Sequence, residues 1–458
     1  MDVVGLDDIE EDILGSLLND RKKDDNGRNR AVFLMSTYGE GEPTDNAVSF
    51  IRFLKESHDA NESVMGDSEE KKGEEYVKNR IVLRDLDYAV FGLGNTQYEH
   101  YNATGKATDI LLEKSGASRM VQLGLGDDDA DLEGDFESWK DNVLWPVLKK
   151  KYNSNCETNG LIKPSTEKLP DCHYEIEYLD GPTTHKDRMN FEHVQLSSKH
   201  YFTASEAPVT EKRELRSPAD GGSTIHIEID ASDLDYQTAD NLAILPVNDD
   251  ATVERIAKAL NYDLGSYFRL TPTKGHESKF TALFPTPCTV YECLAKYCDL
   301  VGPLRRSELK QLAQYAKDPT CKKALLRLAS KEGKYEYKEK VMDAKVGIVD
   351  IISSLCPSIS MPLEHFISLC PRLQPRYYTI SSSSSVYSNS IHATVSVLSE
   401  ERKDGSTFKG ICSNYLSGMI KDGKVRAFIK DSTFRLPADV RNILLFYHTI
   451  DVFCTILT

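Results

Sequence analysis

Short apolar runs alternate with helical patterns over the first third of the chain. Ala31–Ser36 (AVFLMS) and Tyr88–Gly92 (YAVFG) are apolar without alternation, the pattern of strands buried on both faces of a parallel sheet. Each leads through a loop into a helical period. Ala47, Val48, Ile51 and Leu54 share a face after the first run; Ala103, Ala107, Ile110 and Leu111 share one after the second, with Gly116 placed to end that helix. A third run, Met120–Leu123, precedes a helix carrying Phe136, Trp139, Val143, Leu144 and Val147. This repetition predicts a doubly wound α/β domain over residues 1–150, with the polar stretch His58–Asn79 as a surface loop.

Residues 151–185 are polar with scattered Gly and Pro and read as a linker. Beyond them the period shortens to two: His226–Ile229 (HIEI) and His392–Leu398 (HATVSVL) alternate, and Arg426–Ile429 (RAFI) is a shorter run of the same type. Between these lie VERIAKALNY, VYECLAKYC, LKQLAQYA and VGIVDIISSL, all with helical spacing. The expectation is an antiparallel β-barrel in two parts, 186–250 and 371–437, interrupted by a helical domain over 251–370.

Composition narrows the function classes. The 458 residues suit about three domains, and 40% hydrophobic with 28% charged residues is a globular balance. With 56 basic against 72 acidic residues, the formal charge of −16 opposes nucleic acid and favours a basic protein partner. The ten cysteines, Cys156 to Cys454, form no CxxC pair, so free thiols are expected and no metal site is predicted. No signal peptide and no certain membrane span are read, which places the chain as written in the cytoplasm.

Four segments carry candidate chemistry. Ser36, Thr37, Tyr38, Gly39, Glu40 and Gly41 open a loop at the carboxyl end of a predicted strand, where open α/β sheets bind ligands. Leu93, Gly94, Asn95, Thr96, Gln97, Tyr98, Glu99, His100, Tyr101 and Asn102 form a second loop at the same edge. Two glycine-containing loops, each with a tyrosine, suit an aromatic ligand such as a flavin ring; the first alone reads equally as a capped turn, and the second alone is a weak signal. Asp127, Asp128, Asp129, Asp131, Glu133 and Asp135 read as helix-capping carboxylates or as a rim for a basic partner, with Asp128 near the ligand. Arg376 and Tyr378 fall on one strand face, suited to a diphosphate and a ring, or to an exposed strand ending in the serines after Thr379. Gly410, Ile411, Cys412 and Ser413 begin a helix in the manner of a phosphate seat.

STYGEGEPTDNA, FGLGNTQYEHYNA, LGLGDDDADLEGDFESW and RYYTISSSS, in this order, resemble the diflavin reductases, most of all the branch that serves cytochrome P-450 monooxygenases. The resemblance runs from near residue 1 to about Pro437. It implies a flavodoxin-like FMN domain and an FAD-binding barrel with a helical insertion. It implies FMN contacts from Ser36 through Gly39, from Leu93 through Asn102 and from Asp128, with Tyr38 and Tyr98 flanking the ring. FAD contacts are implied for Arg376, Tyr377, Tyr378 and Thr379, for Thr394, Val395 and Ser396, and for Gly410 through Ser413 at the diphosphate. Thr379 stands where the family has a hydroxyl near the reactive flavin nitrogen. The resemblance further implies hydride transfer from NADPH to FAD, single electrons to FMN, and delivery to heme proteins, cytochrome c-like acceptors included, at an acidic surface. Family members are usually anchored in the endoplasmic reticulum by an N-terminal helix.

The chain departs from this pattern at both ends. No membrane anchor precedes residue 1, and Met1–Arg30 shows no counterpart of the family's first strand and its Ser/Thr-Gly-Thr phosphate loop; Asp2–Gly5 reads as the second strand. That first strand is central in the order 2-1-3-4-5, so weak or no FMN binding is expected, and with it a poorly folded first domain. After Phe434-Arg435-Leu436-Pro437 an apolar tail, 438–458, stands where the family continues into a nicotinamide-binding domain. The expectation is little or no NADPH-driven turnover by this chain as written. The alternative reading is a non-catalytic FAD-binding or heme-partner-docking fragment, or an incomplete gene product.

Overall fold

The computed structural model describes residues 28–55, 83–129, 131–152, 172, 174–181, 198–217, 221–274 and 282–432. The expectations for Met1–Arg30 up to residue 27, for His58–Asn79 and for the tail 438–458 lie outside the described residues. The chain divides into two compact units, Met1–Lys163 and Pro164–Thr458.

In the first unit, β1 (Asn29–Tyr38) runs parallel to β3 (Leu86–Gly94), from Asn29 opposite Leu86 to Ser36 opposite Leu93. The two-residue β2 (Glu42–Pro43) folds back antiparallel onto Thr37 and Tyr38. On the far side of β3 lie β4 (Ser118–Arg119) and β5 (Gly124–Asp127), both parallel to it. Met120–Leu123, read as a strand, is the gap between these two pieces; the paired segment starts at Gly124. Strand β3 is buried on both faces, as its unbroken apolar run requires: Tyr88 and Val90 enter one core, Ala89 and Phe91 the other. Strand β1 is not. Leu34 is 50% exposed, because among the described residues the second edge of β1 meets only β2.

Helix α1 (Ala103–Lys114) covers one face of this sheet. Its inward face is Thr104, Gly105, Thr108, Asp109 and Leu112, while Ile110 is 49% exposed. The apolar face assigned from spacing is therefore rotated. Small and polar residues face inward because the helix sits close to β3, and their polar atoms are satisfied: Thr108 Oγ1 donates to Thr104 O, and Asp109 takes a two-pronged bond from Arg119 at 2.8 and 2.7 Å. The helix ends as predicted. Gly116, at φ 89°, and Ala117 return their N–H groups to Glu113 O and Leu112 O. Helices α2 (Leu132–Trp139) and α3 (Trp145–Tyr152) are joined by a π-turn over Lys140–Leu144, and Trp139 and Leu144 pack on Phe91's side of the sheet. Asp87, buried in β3, is held by Arg28 at 2.7 Å and Lys151 at 2.6 Å.

In the second unit six antiparallel strands follow the order β12-β9-β16-β7-β8-β13. They are β7 (Ser205–Glu214), β8 (Ser223–Asp230), β9 (Asn241–Leu245), β12 (Arg376–Thr379), β13 (Ser390–Val397) and β16 (Lys424–Lys430). The path returns on itself at the bridge Ile380–Ala393, just past β12. Alternation decides what fills the interior: Ile225, Ile227 and Ile229 from β8, Ile391, Ala393 and Val395 from β13, and Val425 and Ala427 from β16. A second core is largely helical and includes α4 (Asp250–Leu260), α5 (Val290–Lys296), α6 (Arg306–Leu312), α7 (Pro319–Ala329) and α8 (Leu363–Leu369). Tyr174–Leu179, inside the stretch read as linker, forms β6 and pairs with β10 (Tyr267–Pro272), which in turn pairs with β11 (Cys288–Thr289). Two short strands, β14 (Ser399–Glu401) and β15 (Thr407–Lys409), form a hairpin, and α9 (Ile411–Gly418) follows it. No helix of the described residues is long and apolar enough to cross a membrane.

His200 generates a pH prediction. Its Nε2 is buried without a hydrogen-bond partner, and burial, reinforced by Arg426, pushes the imidazole down to about 4 from 6.5. The unfolded chain therefore binds a proton in that window that the folded chain refuses, so stability is full above 6.5 and falls toward pH 4. Unfolding measured across this window should show the second unit weakening with acid, and His200→Phe should flatten the slope.

Candidate functional site

In the first unit the two predicted loops meet at the carboxyl edge of the sheet. Gly39 and Gly41 turn the first loop with φ of 49° and 100°, a region that glycine enters without strain. A Cβ at Gly41 would stand 3.0 Å from His100 Cβ, so the loops touch through a missing side chain. Thr37 Oγ1 accepts the Thr104 N–H at 3.2 Å, which caps α1 from the neighbouring loop. Asn102, left-handed at φ 55°, precedes the helix and donates Nδ2 to Gly126 O at 3.0 Å. Tyr38 and Tyr98 stand on this edge 69% and 67% exposed.

The carboxylates divide by task. Asp127 grips the second loop: its two oxygens accept the Thr96 N–H at 2.9 Å and the Thr96 hydroxyl at 2.7 Å. Asp131 accepts the Gly134 N–H and Asp135 accepts the Asp127 N–H, both local stitches of the turn into α2. Asp128 and Asp129 are exposed; the Asp128 N–H donates to Gly94 O, and Asp129 accepts from Gln97 Nε2 at 2.7 Å. Asn95 Oδ1 accepts the Gln97 N–H, closing the turn that lifts Tyr98 outward.

In the second unit Arg376 and Tyr378 share a face of β12, and Arg376 Nη1 donates to Gln374 O at 2.7 Å. Cys412, at the start of α9, lies in hydrogen-bond contact with the Tyr378 side chain and within the field of Arg376. Burial pushes the Cys412 thiol up to about 11 and the Tyr378 hydroxyl higher than its ordinary value, so both are neutral near pH 7. Tyr377 takes the opposite face, between Phe428 and Lys430. Thr379 shares that outer face. Antiparallel pairing one step beyond the Ile380–Ala393 bridge sets it opposite Thr394. Thr394 and Ser396 point outward on β13, whereas Val395 lies wholly in the barrel interior and has only backbone to offer a ligand. Gly410 caps α9 without a side-chain bond, and a Cβ there would stand 2.9 Å from Leu398 Cβ. The loop is tied down by Gly410 N–H to Leu398 O and by the Leu398 N–H to Ser413 Oγ. This leaves the helix-start N–H groups of Ile411 and Cys412 turned away from intrahelical partners.

Two family models match the chain: flavodoxin over residues 2–139 and FAD binding domain over residues 195–415. The chain is 36% identical over 422 residues to NADPH–cytochrome P-450 reductase of Homo sapiens, with 89% of this chain and 57% of that protein covered. It is 37% identical over 423 residues to the reductase of that name from Drosophila melanogaster, with 89% and 57% covered. The corresponding Musca domestica protein is 35% identical over 425 residues, with 89% and 58% covered. In carrying both matches, this chain is similar to the diflavin reductases. It spans a little under three fifths of the length of these curated relatives. FMN and FAD are the cofactors of the two matched domains.

Within this chain, two contributors to the edge went unassigned in the sequence. Thr104 ties the first loop to α1, and Asp127 holds the second loop. The DDD run was the available signal for Asp127, but charge alone did not separate the inward carboxylate from the exposed pair. Asp127→Ala should release the Thr96 turn. FMN affinity is expected to fall about tenfold, the loss of about one charge-assisted hydrogen bond, with FAD content unchanged; fluorescence titration of FMN against the flavin-stripped chain measures it.

Proposed function

We propose that this chain holds FMN and FAD for a reductase that passes electrons from NADPH through FAD and FMN to heme proteins such as cytochrome P-450 monooxygenases. The supporting observation is the presence, in one chain, of a sheet edge with two exposed tyrosines and a barrel that brings Arg376, Tyr378 and an α9 start without a side-chain cap together. The domain boundaries read from the sequence, with FMN bound in residues 1–150 and FAD in two barrel segments around a helical domain, are part of the same reading.

The residues fit both flavins. At the first site Gly39, Gly41 and Gly94 leave backbone room, and the exposed faces of Tyr38 and Tyr98 offer stacking surface on either loop. Ser36 through Gly39, Leu93 through Asn102 and Asp128 would supply the remaining contacts. At the second site Arg376 would pair with the diphosphate, and the N–H groups of Ile411, Cys412 and Ser413 would receive it at a helix start. Tyr378 would lie against the ring, and Thr379, with Thr394 and Ser396 on the same outer side, would place a hydroxyl toward the reacting atoms. Bound flavins supply the hydride and one-electron chemistry, which the side chains alone cannot perform. The chain's own groups bind, orient and stay uncharged where required: Cys412 and Tyr378 add no negative charge beside the Arg376 guanidinium. A chain of charge −16, with Asp128 and Asp129 exposed at the FMN edge, favours a basic face on the heme partner. The family setting, the cytosolic face of the endoplasmic reticulum, belongs to the same proposal.

The test separates delivery of electrons from their origin. The flavin-loaded chain, photoreduced by an external donor and mixed with ferric cytochrome c, should reduce the heme faster than free flavins do, and the rate should fall with added salt. A rate equal to the free-flavin control overturns the proposal. Arg376→Ala should lose FAD while keeping FMN, as read by chromatography of the released flavins.

A further inference from the structure

We infer that His226, Glu228 and His392 form a divalent metal site on the outer face of the barrel sheet. No CxxC or close His pair marked such a site in the sequence, and the expectation was that there is none. Strand register assembles it instead. His226 and Glu228 are two apart on β8 and so share a face, and His392 on β13 is the cross-strand partner of Glu228.

The ligand atoms of the three residues lie within 4.8 Å of one another. Glu228 sits between the imidazoles, with Oε1 3.0 Å from His226 Nε2 and Oε2 3.6 Å from His392 Nε2. The imidazole rings stand edge to face, 5.3 Å apart, so both nitrogens converge on the carboxylate. The decisive atom is His392 Nε2: it is buried and makes no hydrogen bond. A buried nitrogen lone pair without a donor is costly for a folded chain, and a cation would satisfy it. Both histidine side chains are 12% exposed and the glutamate 24%, so the cluster lies just beneath the surface of the sheet.

Two imidazole nitrogens and one carboxylate oxygen are the donor set of open zinc sites, and cobalt accepts the same set. The charges on the neighbouring strand do not forbid it. Arg213 and Glu211 on β7 lie opposite His226 and Glu228, and they face each other at 3.8 Å, so their fields offset. The Tyr387 ring, 4.4 Å from that of His392, screens the cluster from one side. An ion here would clamp β8 to β13 next to Thr394, the cross-strand partner of His226.

The probe is Co2+ added to the full chain under reducing conditions, followed by displacement with Zn2+. The expected result is saturable uptake of one ion, with visible ligand-field bands, no sulfur-to-cobalt charge-transfer band, and a rise in the unfolding temperature. His392→Gln and the nearly isosteric Glu228→Gln should each weaken Co2+ binding by at least about tenfold; the second variant serves if the first misfolds, and circular dichroism checks both. Three results overturn the inference: no saturable uptake, thiolate bands that assign the ion to cysteines, or equal affinity in the folded variants.

Discussion

Two backbones touch in the first unit where side chains are missing, and its site depends on that contact. A Cβ on Gly105 of α1 would stand 2.7 Å from Gly92 Cα in β3, and a Cβ on Gly94 would stand 2.8 Å from the Asn102 nitrogen. Any side chain at these positions would push the helix off the sheet. With the helix seated, its first N–H groups come within reach of Thr37 from the neighbouring loop, and Asn102 can reach Gly126 O. Both glycine-tyrosine loops are thereby set at one sheet edge. The polar inward face of α1, with Thr108 and Asp109 buried, is the consequence of this close approach: bulky apolar residues would not fit there.

The second unit reaches a similar end by different means. Strict alternation on β8, β13 and β16 fills the barrel with branched side chains and leaves every second residue for the outer surface. The bridge Ile380–Ala393 brings the end of β12 back to β13, and this places Thr379 beside Thr394. The same register sets His392 across from Glu228. A slip of one residue on β13 would bury the histidine and expel the core, so the outer-face chemistry and the interior packing are one constraint.

Legibility in the sequence followed locality. Strand β3, the alternating strands and most helices of the second unit were readable because composition and period are properties of the segment itself. Burial of β1 was not, since it depends on what lies at its second edge, and Leu34 stays half exposed there. The face of α1 was misread because glycine-mediated contact inverts the usual preference for large apolar residues. Tyr174–Leu179 looked like linker: its alternation of glutamate with Tyr and Ile marks a half-exposed strand only once β10 is known to lie alongside. At the candidate site the ordered motifs placed both loops at the sheet edge where the structure has them, while the grip of Asp127 on Thr96 and the inward turn of Val395 required three-dimensional neighbours. The His226–Glu228–His392 cluster was invisible for the same reason, being separated by more than 160 residues in the chain.

The central claim is that one polypeptide provides two separate flavin sites, each built by its own unit. The most direct measurement is the amount of FMN and FAD released when the purified full chain, reconstituted with both flavins and desalted, is denatured. The account predicts both flavins in the wild type and, in Gly105→Ala, loss of FMN with FAD retained. Release of neither flavin from folded wild-type chain, or full retention of FMN in Gly105→Ala, would contradict it.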